Sequence, residues 1–135
     1  MFECQIEPRY NETDAMGHIG NTTVPVWFEH ARNPLFKLCH PTLTREDWPL
    51  IVAKVTIDYR AQTYYDHPVT VKSWVKSIGG KSFVFYQELH QQGQLTASGE
   101  TVLVWFDYAA ATTEPLPDWV RDKLSAHLLE RGDRR

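Results

Sequence analysis

A polar turn at residues 11–21 carries the side chains best suited to chemistry in this sequence. Asp14 and His18 lie in the turn, and apolar residues recur at helical spacing directly after it. The first turn of a helix leaves backbone N–H groups unpaired and carries partial positive charge, so it can stabilise a developing oxyanion. A carboxylate beside such a helix start is suited to acyl chemistry.

The segments on either side of this turn must hold it in place. Alternating apolar and polar residues predict a first strand over residues 2–10. Apolar spacing predicts a long helix from about Thr23 to about Cys39, apolar on more than one face, as is typical of a helix surrounded by other elements. Pro34 lacks the amide that an intact helix needs, so we expect a kink or break near Asn33.

Four later segments are rich in β-branched and aromatic residues and predict further strands. They are Leu50 to Tyr64, Val69 to Ser77, Ser82 to His90 and about Leu95 to Tyr108. A short helix with Asp118 as its N-cap is expected after them. This order predicts an α+β fold, an antiparallel sheet of about five strands around a long central helix.

Composition narrows the class of protein. A chain of 135 residues with 42% hydrophobic content is expected to form one domain with a sizeable core. The net charge of −3 gives no field that would attract nucleic acid or an anionic membrane, and the basic residues cluster only at Arg131 to Arg135. No apolar run resembles a signal peptide or a membrane span, so a cytoplasmic location is expected. Cys4 and Cys39 are expected to be free thiols.

Several classes of site lack their sequence patterns. The six His and two Cys residues do not occur at metal-ligand spacing, since C-x-x-C and H-E-x-x-H are both missing. The G-x-S-x-G, G-x-G-x-x-G and P-loop patterns are also missing. We therefore expect no metal and no cofactor, and we do not expect a serine hydrolase, a dinucleotide-binding enzyme or an NTPase.

The reactive turn belongs to a longer pattern. Asp14-Ala15-Met16-Gly17-His18 is followed by Phe28-Glu29-His30-Ala31-Arg32, and later by Asp58-Tyr59-Arg60, Tyr65-Asp66, Gly80-Lys81-Ser82-Phe83 and Val104-Trp105-Phe106-Asp107-Tyr108. This pattern resembles the acyl-CoA thioesterases of the 4-hydroxybenzoyl-CoA thioesterase family, which have the hotdog fold. The resemblance implies that residues 1–135 form a single hotdog domain that hydrolyses an acyl-CoA to a carboxylic acid and CoA.

The resemblance also implies roles for residues in the turn. Asp14 would act on the thioester as nucleophile or as general base for water, and the sequence leaves both open. The backbone amide of Asn21 would stabilise the oxyanion. His18 would orient Asp14 or the thioester, or only hydrogen bond nearby backbone. Gly17 would let the turn approach the substrate, or serve only as a turn glycine.

Two further expectations concern binding and assembly. Lys81, with Ser82, is expected to contact the phosphates of CoA, because a weakly acidic protein needs a local basic patch for a polyanion; the alternative is a solvated turn lysine. A homodimer or homotetramer is expected, since a single sheet leaves apolar edges and the family places each active site between two subunits.

Glu29 and Arg32, three residues apart, are expected to form an ion pair.

Two other functions remain open at this point. One is hydrolysis of a thioester carried by acyl carrier protein rather than by CoA. The other is a protein that binds acyl thioesters without catalysing their hydrolysis. The sequence does not identify the acyl group, because the depth of the pocket depends on how helix and sheet pack.

Overall fold

The structure, a computed structural model, describes residues 1–130, so the basic cluster at residues 131–135 lies outside the described residues. One antiparallel sheet and three α-helices make up most of this part of the chain. In chain order the elements are β1 (Phe2–Ile6), α1 (Thr23–Ala31), α2 (Asn33–Cys39), β2 (Leu50–Tyr59), β3 (Val69–Ile78), β4 (Ser82–Gln91), β5 (Gln94–Asp107), β6 (Thr112–Thr113) and α3 (Asp118–Ser125).

The strands lie in the order β1-β3-β4-β5-β2, with β6 paired to the end of β5. All pairs are antiparallel, and β2 and β1 form the two edges. Register shifts interrupt the β2–β5 and β3–β4 ladders, and such bulges bend a strand. The sheet thus curls around α1 and α2, and its helix-facing side buries large side chains such as Phe83, Phe85 and Leu89. The α+β class is confirmed.

The predicted helix from Thr23 to Cys39 is present as two short helices rather than one long one. The α-helical hydrogen bonding stops at Arg32, whose amide bonds to the carbonyl of Glu29 over 3.1 Å. Pro34 has no amide with which to continue the ladder. The expected break near Asn33 is therefore confirmed, and a single long central helix is wrong.

Other boundaries also differ from expectation. The first strand ends at Ile6 instead of residue 10, because residues 10–12 form a 3-10 turn. The second strand ends at Tyr59, since the next two amides both bond to the carbonyl of Thr96 and leave the ladder. Pro117, not Asp118, is the N-cap of α3; Asp118 lies in the first turn.

The expected ion pair between Glu29 and Arg32 is also wrong. Arg32 is buried and reaches the sheet, where its Nη1 donates to Gln87 Oε1 over 3.4 Å and to Thr101 Oγ1 over 3.3 Å. Its place at the end of α1 turns the side chain inward, away from the solvent face that carries Glu29. Burial lowers the pKa of the Arg32 guanidinium, against the opposing charge of Glu29.

Both cysteines are free thiols, as expected. Cys39 lies buried at the end of α2, and burial raises the pKa of its thiol to about 12. The thiolate is the reactive form of cysteine, so this residue serves as a small apolar core side chain.

Close packing of β5 against α1 gives a prediction about stability. A Cβ atom on Gly99 would lie 3.0 Å from Phe28 Cε2 and 3.1 Å from the carbonyl oxygen of Thr56. We expect Gly99→Ala to lower the free energy of unfolding by about 1–3 kcal/mol, since added volume strains a packed core. Gly80→Ala is the control, because a Cβ there meets nothing within 4 Å. Equal denaturation midpoints for the two variants would contradict this packing.

Candidate active site

A short backbone ladder closes the turn that carries Asp14. The amide of Gly20 donates to the carbonyl of Glu12 over 2.9 Å, and the amide of Asp14 donates to the carbonyl of His18 over 2.7 Å. Gly17 lies at the tip with a φ of 80°, which glycine adopts without strain. Turn geometry alone therefore accounts for Gly17, and its contact with substrate stays a prediction.

The Asp14 carboxylate is held by the turn that follows it. Its Oδ1 accepts hydrogen bonds from the amides of Met16 (2.7 Å) and His18 (3.0 Å), and its Oδ2 lies 3.5 Å from His18 Nδ1. The Met16 amide bond is the largest cause of a lowered pKa for Asp14; partial desolvation opposes it, and His18 adds to it. The side chain is thus fixed as an ionised carboxylate with part of its surface open to solvent.

The start of α1 offers an unpaired donor close to this carboxylate. Thr22 is the N-cap but makes no side-chain cap bond. Within residues 1–130 the amide of Asn21 has no hydrogen-bond partner, whereas the carbonyl of Asn21 accepts a bond from the Tyr59 hydroxyl. The residue is therefore held at its carbonyl, while its amide is available to a ligand.

The loop after β2 fixes the other side of the turn. The amide of Ile19 donates to the carbonyl of Thr63 over 2.8 Å. The same loop is tied to β5, where the Thr96 carbonyl accepts from the amides of Arg60 (2.8 Å) and Ala61 (3.1 Å). The position of Asp14 therefore depends on the sheet as well as on α1.

These elements line a cavity of about 530 Å³ that both Asp14 and Asn21 border. Its lining residues are Asp14, Ile19, Gly20, Asn21, Val24, Tyr59, Arg60, Ala61, Gln62 and Thr63. Arg60 is the one cationic side chain among them, and its Nε donates to Ser98 Oγ over 3.2 Å. Asp14 also lines a second cavity of about 310 Å³, whose walls include three tyrosines. A carboxylate, a free amide and a cation thus share one cleft, which is suited to an anionic acyl compound.

The structure brings together some of the predicted residues and not others. Asp14, Asn21 and His18 lie together, but Lys81 and Ser82 lie at the turn between β3 and β4, where the amide of Trp105 donates to the carbonyl of Lys81. The cleft lies beside Ala97, which is eight residues before Trp105 on β5. At about 3.3 Å per residue, these two positions on the strand are about 26 Å apart. A single chain does not place Lys81 next to Asp14.

Sequence reasoning missed the contribution of the end of β2. Tyr59 and Arg60 belong to a segment that resembles the family, but the sequence assigns them no role. Their side chains reach the cleft because β2 pairs with β5 and ends beside the turn. The available signal was an aromatic and a cationic residue at the end of a strand, yet nothing in the sequence indicates which turn that strand meets.

Residues 1–130 contain no group of three or more His, Cys, Asp or Glu side chains placed to hold a metal ion. Among the helices of this part, none is long and apolar enough to cross a bilayer.

Comparison with known proteins places this geometry in context. Residues 8–124 match the model of a family described as the thioesterase-like superfamily. A relative from Escherichia coli, acyl-CoA thioester hydrolase YbgC, is 25% identical over 121 residues, which cover 87% of this chain and 90% of the relative.

Solved structures of thioesterases share the fold. One described as a predicted thioesterase from Bacillus stearothermophilus has a TM-score of 0.93 and 43% identity, covering 97% of this chain and 98% of its own. A thioesterase from Thermus thermophilus, complexed with coenzyme A and Zn, has a TM-score of 0.82 and 25% identity, covering 93% and 92%. The chain is thus similar to both over nearly its full length.

Proposed function

The chain belongs to the thioesterase-like superfamily, and we propose that it hydrolyses an acyl-CoA thioester to a carboxylic acid and CoA. The observation that carries this proposal is one cleft holding the Asp14 carboxylate and the unpaired Asn21 amide. Similarity to a protein named acyl-CoA thioester hydrolase and to a thioesterase complexed with coenzyme A favours CoA over acyl carrier protein as the carrier.

The reaction needs a group that promotes attack and a donor that stabilises charge. As general base, Asp14 takes a proton from water while the water oxygen attacks the thioester carbon. As nucleophile, Asp14 forms a mixed anhydride that water then hydrolyses. In both cases the C–S bond breaks, the thiolate leaves and is protonated, and the Asn21 amide stabilises the oxyanion. A lowered pKa keeps Asp14 ionised and available for either role.

We also propose that the protein is a homo-oligomer, at least a dimer, formed through β2. On the helix-facing side of this edge strand Val52 and Val55 are 45% and 48% exposed, and Val26 of α1 beside Val52 is 59% exposed. Within the described residues no strand pairs with the outer edge of β2. An apolar edge of this kind is a template for another strand, so a second copy is suited to cover it.

Such pairing also offers a route for Lys81 to reach the substrate. Antiparallel β2–β2 pairing around a two-fold axis places the Leu50 end of one strand against the Tyr59 end of the other. Leu50 pairs with Trp105, and the backbone amide of Trp105 donates a hydrogen bond to the carbonyl of Lys81. We propose that Lys81 of the partner subunit, with its Ser82, contacts the CoA phosphates at the cleft that contains Asp14.

A cytoplasmic location completes the proposal. Cys4 and Cys39 are both free thiols, as is usual in a reducing compartment.

Asp14→Asn tests the reaction directly. We expect kcat for thioester hydrolysis to fall roughly 10²–10⁴-fold if Asp14 is a general base, and further if it is the nucleophile. Asp107→Asn is a matched control, because Asp107 Oδ1 accepts two backbone amide bonds in another turn (3.0 and 3.1 Å), outside the cleft. Retention of more than about a tenth of wild-type kcat, with unchanged melting temperature, would exclude Asp14 from the chemistry.

Sedimentation tests the oligomer. The wild-type chain is expected to sediment as a dimer or larger at micromolar concentration, and Val55→Glu is expected to shift it toward monomer by placing a charge in the apolar contact. Lys54→Glu is the control, since adjacent strand residues face opposite sides of the sheet. A wild-type chain found only as monomer would overturn the assembly.

Lys81→Ala tests the binding of CoA. We expect KM to rise with little change in kcat, as for a contact equal in the ground and transition states. Lys72→Ala on β3 serves as the control.

A mixed dimer of Asp14→Asn and Lys81→Ala chains tests the route across the interface: one site then has both wild-type residues and keeps the wild-type KM. A raised KM in that mixed dimer would place Lys81 in its own chain's site, and an unchanged KM for Lys81→Ala itself would remove it from the site.

A further inference from the structure

Glu12 lies in the polar turn at residues 11–21, and its side chain makes hydrogen bonds that the closure of the turn does not require. Its Oε2 accepts the indole N–H of Trp27 over 2.9 Å, and its Oε1 accepts the amide of Arg9 over 2.7 Å. The Glu12 side chain is 13% exposed and Trp27 is 2% exposed. A bond between a buried indole and a carboxylate is charge-assisted and about twice as strong as a neutral one.

The main chain of Glu12 joins the same elements. Its carbonyl accepts the amide of Gly20 over 2.9 Å and the Thr23 hydroxyl over 3.4 Å. Glu12 is therefore bonded to the residue before Asn21, to the start of α1 and, through Trp27, to the interior of that helix. Asp14 follows only two residues later.

We propose that Glu12 and Trp27 are positioning residues that hold Asp14 at its working distance from the Asn21 amide. The inference rests on the proposed function of Asp14. Without the indole N–H, a mostly buried carboxylate oxygen loses its partner, and leaving such a group unsatisfied is unfavourable. The Glu12 side chain would then turn toward water and displace the start of the polar turn at residues 11–21. A displacement of about 1 Å in a reacting group can lower a rate roughly 10²-fold.

Trp27→Phe removes the donor while keeping an aromatic ring in the core. We expect kcat to fall roughly 10- to 100-fold with KM within about two-fold of wild type, measured well below the melting temperature. Trp74→Phe is the matched control, since Trp74 is also buried and its indole N–H has no hydrogen-bond partner within residues 1–130. It is expected to lose stability without losing kcat.

Glu12→Gln provides a second variant in case the core substitution lowers stability too far. A Gln side chain has one acceptor oxygen, so it cannot accept both the Trp27 and Arg9 donors in their present places. The same selective loss of kcat is expected.

A double variant separates positioning from a general effect on the fold. If Trp27 acts through Asp14, Trp27→Phe should cause no further loss in an Asp14→Asn background, since residues that act as a unit are not additive. Losses that multiply, or a Trp27→Phe enzyme with wild-type kcat beside an inactive Asp14→Asn enzyme, overturn the inference and leave the proposed function intact. Full activity of Asp14→Asn overturns both.

Discussion

The hydrogen bond between the amide of Gly20 and the carbonyl of Glu12 is the constraint on which the site depends. It brings Gly20, the residue before Asn21, against Glu12, which lies two residues before Asp14. Asp14 and Asn21, seven positions apart in the chain, therefore share one cleft. Helix α1 holds one end of this closed turn and the loop after β2 holds the other. The fold thus holds a fixed carboxylate and an unpaired amide at one cleft, and the proposed reaction would need little reorganisation there as charge develops.

A polar layer divides the interior at the level where the helix over the sheet is broken. Gln87 donates to the Phe28 carbonyl (3.0 Å) and to Ser73 Oγ (3.2 Å), and Arg32 reaches the same layer. One apolar cluster lies under α2 and α3, and another lies under α1. Among the described residues Arg32 Nε is buried without a hydrogen-bond partner, which is unfavourable for a charged group. Ending α1 at this layer leaves a short helix whose first turn meets the cleft.

Features governed by local chemistry could be predicted from the sequence. The polar turn, the helix start after it and the break before Pro34 depend on neighbouring residues, and the structure has all three. The inward orientation of the Arg32 side chain could not be predicted. Helical spacing favours an ion pair with Glu29, whereas the side chain is buried against the sheet and hydrogen bonds there. Arrival of Tyr59 beside Asn21 likewise depends on pairing between strands distant in sequence.

The separation of Asp14 from Lys81 shows a further limit of sequence patterns. Both residues belong to segments that resemble one family, yet they lie at opposite ends of β5 in one chain. The proposed pairing of two chains through the exposed apolar edge of β2 would bring them together. Strand pairing across that edge would make binding of CoA depend on assembly.

We expect this cleft to hydrolyse acyl-CoA rather than only to bind it. Release of free thiol from a panel of acyl-CoAs by the purified wild-type chain, followed with a thiol reagent, distinguishes hydrolysis from binding. At least one acyl group should undergo multiple turnovers, with thiol released in proportion to acid formed. Saturable binding of acyl-CoA without thiol release beyond the uncatalysed rate would exclude hydrolysis and identify the chain as a binding protein.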